Sequence, residues 1–460
     1  MVFQRQSPIF LPLWTRDGFH ATVNDSIIGI FVNQETTSKS QSVRTLFRNG
    51  QFMRYITGET ISMTGTWMQM MAQSWIMTTL TDKAVMLGMV TFVGSIPIVA
   101  LSLIGGTFAD RHDKRAILLV TQVVQICFAV LVGWLVATGQ IRIWHIILVA
   151  FFLGISTAFE MPSAAALVPE LVGKDHIATA IAVDRSVFHG TRLIGPALAG
   201  YVIGLAGAAA AFYANALSFV ALMIALVTIH PRPKGTDHEE AQRRGTIKDG
   251  FAYVRSDKPT MAMIILLVAT VIFVFPVMMV MMPLYAKDVL FLGPSKMGLL
   301  MGVSAIGSLT GSISLFGVRR ESRRTLLFVA IGCVTLALTS MGLAHRFIVA
   351  GGSVIMLSLG VSTLAGLTNT IIQERAPGPM RGRVSSIVAM SFFGLMPFSA
   401  LGITNVADLL GIRNALFISA GAYLAVALYI LNGPGRHLRE PPAVAVTPTA
   451  DEVVGVSPEG

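Results

Sequence analysis

Charge is what this sequence has least of. Asp, Glu, Lys and Arg make up 13% of its 460 residues, where soluble domains average about 25%. With a mean hydropathy of +0.69, the chain has too few charges to cover a water-facing surface, which excludes a soluble fold of this length. Cysteine is nearly absent as well. Cys127 and Cys333 each sit inside an apolar block, so a disulfide framework and a thiolate metal site are both excluded, and the two are expected as small buried residues. The sequence also lacks Gly-x-x-x-x-Gly-Lys-Ser/Thr, His-Glu-x-x-His, Cys-x-x-Cys and Gly-x-Ser-x-Gly. No phosphate-cradling loop, zinc-protease pair or nucleophile elbow is therefore encoded. The chain does not read as an enzyme and needs no cofactor or metal, which leaves coupling to an ion gradient or facilitated diffusion.

What is present is apolar sequence in blocks of about 20 residues or more, the length needed to cross a bilayer. They run near Met53 to Leu80, Val85 to Thr107, Ala116 to Thr138, Ile143 to Phe159, Ile177 to Gly204 and Ala208 to Ile229. A second set runs near Met261 to Tyr285, Met297 to Phe316, Thr325 to Ala344, Phe347 to Ile372, Val384 to Leu409 and Ile412 to Leu431. The pattern predicts an all-α membrane protein of twelve transmembrane helices: a six-helix bundle over 53–230, a central loop over 231–260 and a second six-helix bundle over 261–432. The extension 1–52 and the tail 433–460 are expected to be disordered and cytoplasmic, and nothing before Met53 has the layout of a signal peptide.

The net charge of +10 falls at block ends instead of on one basic surface, which excludes nucleic acid as a partner. Alternate loops differ sharply. One set holds Arg111, Lys114, Arg115, Lys174, Arg232, Arg243, Arg319, Arg320, Arg323, Arg324, Arg381, Arg383 and Arg436, while the other offers little beyond Lys83, Arg142, Lys287, Lys296, Arg346 and Arg413. The positive-inside rule puts the first set, the central loop and both termini in the cytoplasm, with the chain in the inner membrane.

Between the second and third blocks stands Gly106, Thr107, Phe108, Ala109, Asp110, Arg111, His112, Asp113, Lys114, Arg115. Gly106 is expected to let two helices approach, Asp110 to accept from amide groups at a helix start, and the cations to bind carboxylates or anionic headgroups. In the fifth block Arg192 precedes Gly195, Pro196, Ala197, Leu198, Ala199 and Gly200. Its proline predicts a bend and its small residues a tight helix crossing.

These features resemble the major facilitator superfamily. Gly-x-x-x-Asp-Arg-x-x-basic-basic is similar to its signature loop, with Asp113 where the family usually has Gly. Gly195 to Gly200 resembles the fifth-helix Gly-Pro motif of its exporters, with Ala199 in place of a glycine. Glu160, Met161 and Pro162 through Val168, Pro169 and Glu170, together with Gly65 to Gln69 and Arg381 to Val384, resemble its enterobactin-exporter-like branch. Ala164 stands where that pattern often has a basic residue. The resemblance implies two pseudo-symmetric halves about a cavity near mid-bilayer, alternating access, and a latch through Asp110 between the halves. It implies proton-coupled efflux of a small amphiphilic or apolar solute by a monomer whose partners are lipid, solute and protons. Uptake, lysolipid-type translocation, and a non-transporting sensor or assembly factor on the same fold remain open alternatives.

Ionisable groups inside spans default to functional candidates. Glu59, Glu160 and Asp184 are the candidate proton-coupling residues. Glu59 begins a polar stripe continuing through Ser62, Thr66, Gln69 and Gln73 at steps of three and four, which belongs against a wet cavity or another helix. Arg185, His189 and Arg192 share one helical face, with Glu160 as a counter-ion within reach. They join Ser362, Asn369 and Gln373 of the tenth span as candidate cavity-lining residues. Phe273, Phe275, Met278, Met279, Met281 and Met282 suit either adaptable contact with ligands or plain core filling. If Asp110 latches the halves, Asp110→Asn keeps its shape but loses its charge. The expected outcome is near-normal membrane expression with severely reduced proteoliposome transport, and normal transport by that variant contradicts the latch.

Overall fold

The computed structural model describes residues 45–173, 176–230 and 247–433. The expectations of disorder for most of the extension and for the tail after 433, and residues 231–246 of the central loop, lie outside the described residues. Within them the fold is all-α, with no strand. The first half comprises α1 Gly50–Leu80, α2 Ala84–Arg111, α3 Lys114–Ala137, α4 Ile143–Leu171, α5 Ile177–Ala206 and α6 Ala208–Thr228. A short helix, Ile247–Ser256, leads into α7 Lys258–Val289, α8 Pro294–Ile313, α9 Arg323–Leu343, α10 Phe347–Arg375, α11 Arg381–Leu410 and α12 Ile412–Asn432.

Ten of these helices are long and apolar enough to cross a bilayer by length and composition. The exceptions are α1 and α5, which carry the chain's densest intramembrane polar and charged residues, among them Glu59, Asp184, Arg185 and Arg192. Helix pairings in the two halves correspond at an offset of six: α2 with α4 and α8 with α10, α3 with α6 and α9 with α12, α1 with α5 and α7 with α11. That correspondence agrees with the two pseudo-symmetric halves that the resemblance implies.

Several helices outrun their apolar blocks. α4 continues past Phe159 through Glu160, Pro162 and Pro169 to Leu171, and α10 runs on to Arg375, because helical hydrogen bonding does not stop where hydrophobicity does. Capping sets the starts: the Asn49 side chain accepts from the amides of Gln51 and Phe52, and Asp113 accepts from that of Arg115. α7 is not a regular helix, since Pro276 and Pro283 remove backbone donors and its ladder widens into π turns at Val277–Met281 and Tyr285–Val289. The bundle's outer surface is apolar, with Leu103, Leu205, Leu217 and Ile348 all largely exposed, as expected where the surrounding solvent is lipid. The same reason corrects the expectation for the cysteines. Cys127 faces outward and Cys333 is half-buried, because lipid accepts a thiol as readily as a core does.

The basic end of each half is tied internally. In the first half Lys114 pairs with Glu170 at 2.6 Å, Arg115 donates to the Val227 carbonyl at 2.7 Å, and Arg54 donates to that of Thr228. In the second, Arg323 grips Glu374 with two bonds of 2.8 Å. Buried Arg375 donates to Asp257 at 2.8 and 2.6 Å, and its carbonyl accepts from Tyr253 of the short helix. Burial alone would raise the Asp257 carboxyl, but the bonds from Arg375 and Thr260 outweigh it and hold the group below its ordinary range. A carboxyl held low adds stability that is complete above its unfolded value, about 4, and is lost as pH falls through the lower folded value. Asp257→Ala leaves Arg375 buried without its anion and should cost about 3–5 kcal/mol. Thermal unfolding of purified protein checks this: the variant should melt lower at pH 7 and lose the wild type's decline in acid.

Candidate solute cavity and charged layers

The contacts that join the halves lie between the end opposite the basic loops and mid-bundle. There α2 crosses α11 and α5 crosses α8. A Cβ on Gly200 of α5 would stand 2.9 Å from the Gly298 Cα of α8, and one on Gly298 would stand 2.6 Å from the Pro196 carbonyl oxygen, so only glycine permits this approach. Charge closes the same end. Asp408 of α11 accepts from the free Ala84 and Val85 amides at the start of α2, at 2.5 and 2.9 Å. Lys287 of α7 donates to the Thr78 carbonyl in the last turn of α1 and reaches Asp82 at 3.3 Å. Both termini of the α1–α2 hairpin are thus capped by the other half, in the sense that the helix dipoles favour. Nearer the basic end, Arg185, Ser186 and His189 of α5 and Ser385, Ser386 and Met390 of α11 are exposed. Polar side chains on transmembrane helices face a wet space in preference to lipid, so the halves are parted there.

Two charged layers belong to this opening. The first holds Glu59 of α1, with the Tyr55 hydroxyl as its hydrogen-bond partner and the Glu160 and Asp184 carboxylates as charged neighbours. Arg54 is bonded to Thr228 instead, and among the described residues no cation pairs with Glu59. Glu160 is not the counter-ion expected for the arginines: Gln122 and Gln125 of α3 donate to it at 2.9 and 2.5 Å. Asp184 has Arg185 as its charged neighbour. The sequence indicated the acids but not these two glutamines, whose spacing of three on α3 was the available signal.

Eight residues beyond Asp184, about 12 Å further along the helix, lies Arg192. Its guanidinium carbon stands 5.7 Å from the centre of the Trp67 ring of α1. One of its nitrogens is 3.8 Å from the Met279 sulfur of α7, in the other half. Among the described residues it has no carboxylate within ion-pair distance.

The polar stripe of α1 divides. Ser62 and Gln69 are buried, and Gln69 accepts from Asn215 of α6 at 2.7 Å, so Gln69 faces a helix and not a cavity. The Thr66 hydroxyl donates back to the Ser62 carbonyl. Gln73 lines a cavity of ≈ 30 Å³ at the closed seam with Thr91 and Met279. On α10, Ser362 bonds to Ser308 and Ser312 of α8, Gln373 donates to Ser385 of α11, and Asn369 is exposed. Of the methionine-rich stretch, Met278, Met281 and Met282 are buried filler, whereas Met279 is only partly buried and reaches Arg192.

The signature-loop residues separate in a similar way. Open space surrounds Gly106, and the close approach of α2 to α4 falls instead at Gly105, where a Cβ would strike the Ala158 carbonyl. The expectation for Gly106 is corrected accordingly: the small residue the crossing requires is one position earlier. Lys114 and Arg115 bind within their own half, Arg111 is exposed, and Asp113 caps α3. In the fifth-helix motif Gly195 packs on Trp67 of α1, while Gly200 packs on α8.

Comparison with known proteins agrees with this architecture. Residues 42–450 match the model of the transmembrane secretion effector family. Macrolide efflux protein A of Streptococcus pyogenes is 23% identical over 82% of this chain and 94% of its own. The staphyloferrin A transporter of Staphylococcus aureus is 26% identical over 80% of this chain and 93% of its own. A bacterial homologue of the human lysosomal transporter Spinster, in an inward-facing and unoccupied conformation, shares the fold. Its TM-score is 0.68 at 13% identity, covering 87% of this chain and 99% of that one. With the repeated six-helix halves and the opening between them, these matches make the chain a member of the transmembrane secretion effector family of the major facilitator superfamily, a multi-pass membrane transporter of small molecules.

Proposed function

We propose that this transporter exports a small amphiphilic or apolar solute from the cytoplasm in exchange for protons. In this reading the basic loops lie in the cytoplasm, as the positive-inside rule supports, and the conformation described is open inward and closed outward. Export is supported by the fifth-helix Gly-Pro crossing and by the efflux function in the name of the Streptococcus pyogenes relative. Solute enters between the halves, the halves rock about the α2–α11 and α5–α8 crossings, and solute leaves on the far side.

The observation that carries the proton reading is Glu59. It is an intramembrane carboxyl with a phenol and two further carboxyls as neighbours and no cation paired with it among the described residues. A group so placed is neutral when occluded and ionised when the space beside it is wet, which is what exchange of a proton for a solute requires. Glu160, which accepts from the side-chain amide nitrogens of Gln122 and Gln125, is the fixed member of the layer, and Glu59 is the member with freedom to cycle.

The test is Glu59→Gln in proteoliposomes, comparing efflux driven by an imposed pH gradient with solute exchange in its absence. The expected outcome is loss of the first and survival of the second. Loss of both assigns Glu59 to solute recognition, and unaltered gradient-driven efflux removes it from the mechanism. Flux in the opposite direction under the same gradient overturns export.

A further inference from the structure

The deeper of the two layers holds a cation with no anion. Arg192 sits about halfway along α5, where an unpaired charge is costly to keep, and its described contacts are soft: the face of Trp67 and the sulfur of Met279. Glu160, expected as its counter-ion, is committed to Gln122 and Gln125. Beside it, the Trp67 indole N–H is buried with no hydrogen-bond partner among the described residues. An unsatisfied donor and a cation without a carboxylate partner thus stand together where α1, α5 and α7 of opposite halves meet. Exposed Arg185 and His189 continue the same face of α5 toward the open end, so the Arg185 cation stands on the path that leads inward to Arg192. Apolar contact is also at hand, from Phe188 packed edge-on to Trp67 at 5.7 Å and from the flexible Met279 side chain.

We propose that Arg192, Trp67 and Met279 form a subsite for the anionic head of the solute, and that the substrate class is an amphiphilic organic anion, a carboxylate or sulfonate joined to an apolar body. The guanidinium and the indole N–H bind the oxyanion, and Met279 and Phe188 cover the adjoining apolar part. Because Arg192 contacts both halves, a bound anion joins them at mid-bilayer, while the acid layer about 12 Å nearer the cytoplasm stays free to exchange its proton. This assignment deepens the export reading, and its use in transport rests on that reading. Recognition of the anion does not, and binding can be measured without flux.

The experiment uses full-length protein in phosphatidylcholine nanodiscs with Trp14, Trp75, Trp134 and Trp144 replaced by Phe, so that Trp67 is the only tryptophan. Its fluorescence is titrated at pH 7.5 with decanesulfonate, decyltrimethylammonium and decanol, which share a tail and differ in head charge. The parent should bind the sulfonate about tenfold or more tighter than the other two. Arg192→Gln should lose that preference, and Arg192→Lys should retain part of it, since lysine keeps the charge but not the planar fork. The lysine variant also guards against misfolding of the glutamine variant. Equal sulfonate affinity in Arg192→Gln, or preference of the parent for the cation, overturns the subsite. A Trp67 signal that responds only to added phosphatidylglycerol and not to decanesulfonate makes the bound anion a lipid headgroup and overturns the solute assignment. Sulfonate binding without pH-driven flux leaves the subsite standing and refutes export, whereas flux without charge preference does the reverse.

Discussion

The arrangement depends on how closely the halves meet at one end. Where α5 crosses α8, Gly200 and Gly298 bring two backbones so near that neither position has room for a side chain. Asp408 and Lys287 of the second half supply the charges that the ends of α1 and α2 otherwise lack. Packing without side chains and charge placed on helix dipoles are both short-ranged. They hold well at contact and contribute almost nothing a few ångströms apart. A seam of this kind is either shut or open, which is the bistability that alternating access needs. With it shut, the opposite ends of the same rigid helices must part.

That parting explains the distribution of charge within the bundle. A bilayer offers no solvation to an ionised side chain, so each must be paired, bonded or set beside water. At the basic ends the chain uses pairing: Lys114 with Glu170, Arg375 with Asp257, Arg323 with Glu374. Within the opening it leaves the pairing incomplete, with Glu59 among acids and Arg192 among soft neighbours. Complete pairing would favour one static arrangement, whereas groups short of a partner gain one only by taking a proton or a ligand. The structural ion pairs and the charges to which the proposals assign function are thus distinguished by whether their partners are already in the chain.

Much of this was legible beforehand. Apolar blocks of bilayer length around a central polar segment give the helices and the two halves, because the bilayer imposes both length and polarity on every crossing. Helix ends were less legible, as at α4, where backbone bonding carries the helix twelve residues past its apolar block. The sequence marked Glu59, Glu160 and Arg192 as exceptional, since charge is rare in a span. It could not say which charges would meet. Helical periodicity gives a direction around one helix but not the rotation of its neighbour, so Glu160 found two glutamines of α3 in place of the arginines of α5, and Gln69 found Asn215. The displacement from Gly106 to Gly105 has the same origin: a crossing point is set by two helices, and only one of them is visible in a motif.

The central claim is that the two ends of the transporter open reciprocally, with the acid layer coupling that exchange to protons. In a background with Cys127 and Cys333 replaced by Ser, spin labels at Gln140 and Arg346 report the closed end, and labels at His112 and Glu321 report the basic end. Distances between paired labels, measured in nanodiscs at pH 5 and pH 8, test the claim directly. The account predicts that one distance lengthens as the other shortens when pH changes, and that both become insensitive to pH in Glu59→Gln. Two distances that change in the same sense, or that respond to pH identically without Glu59, would contradict it.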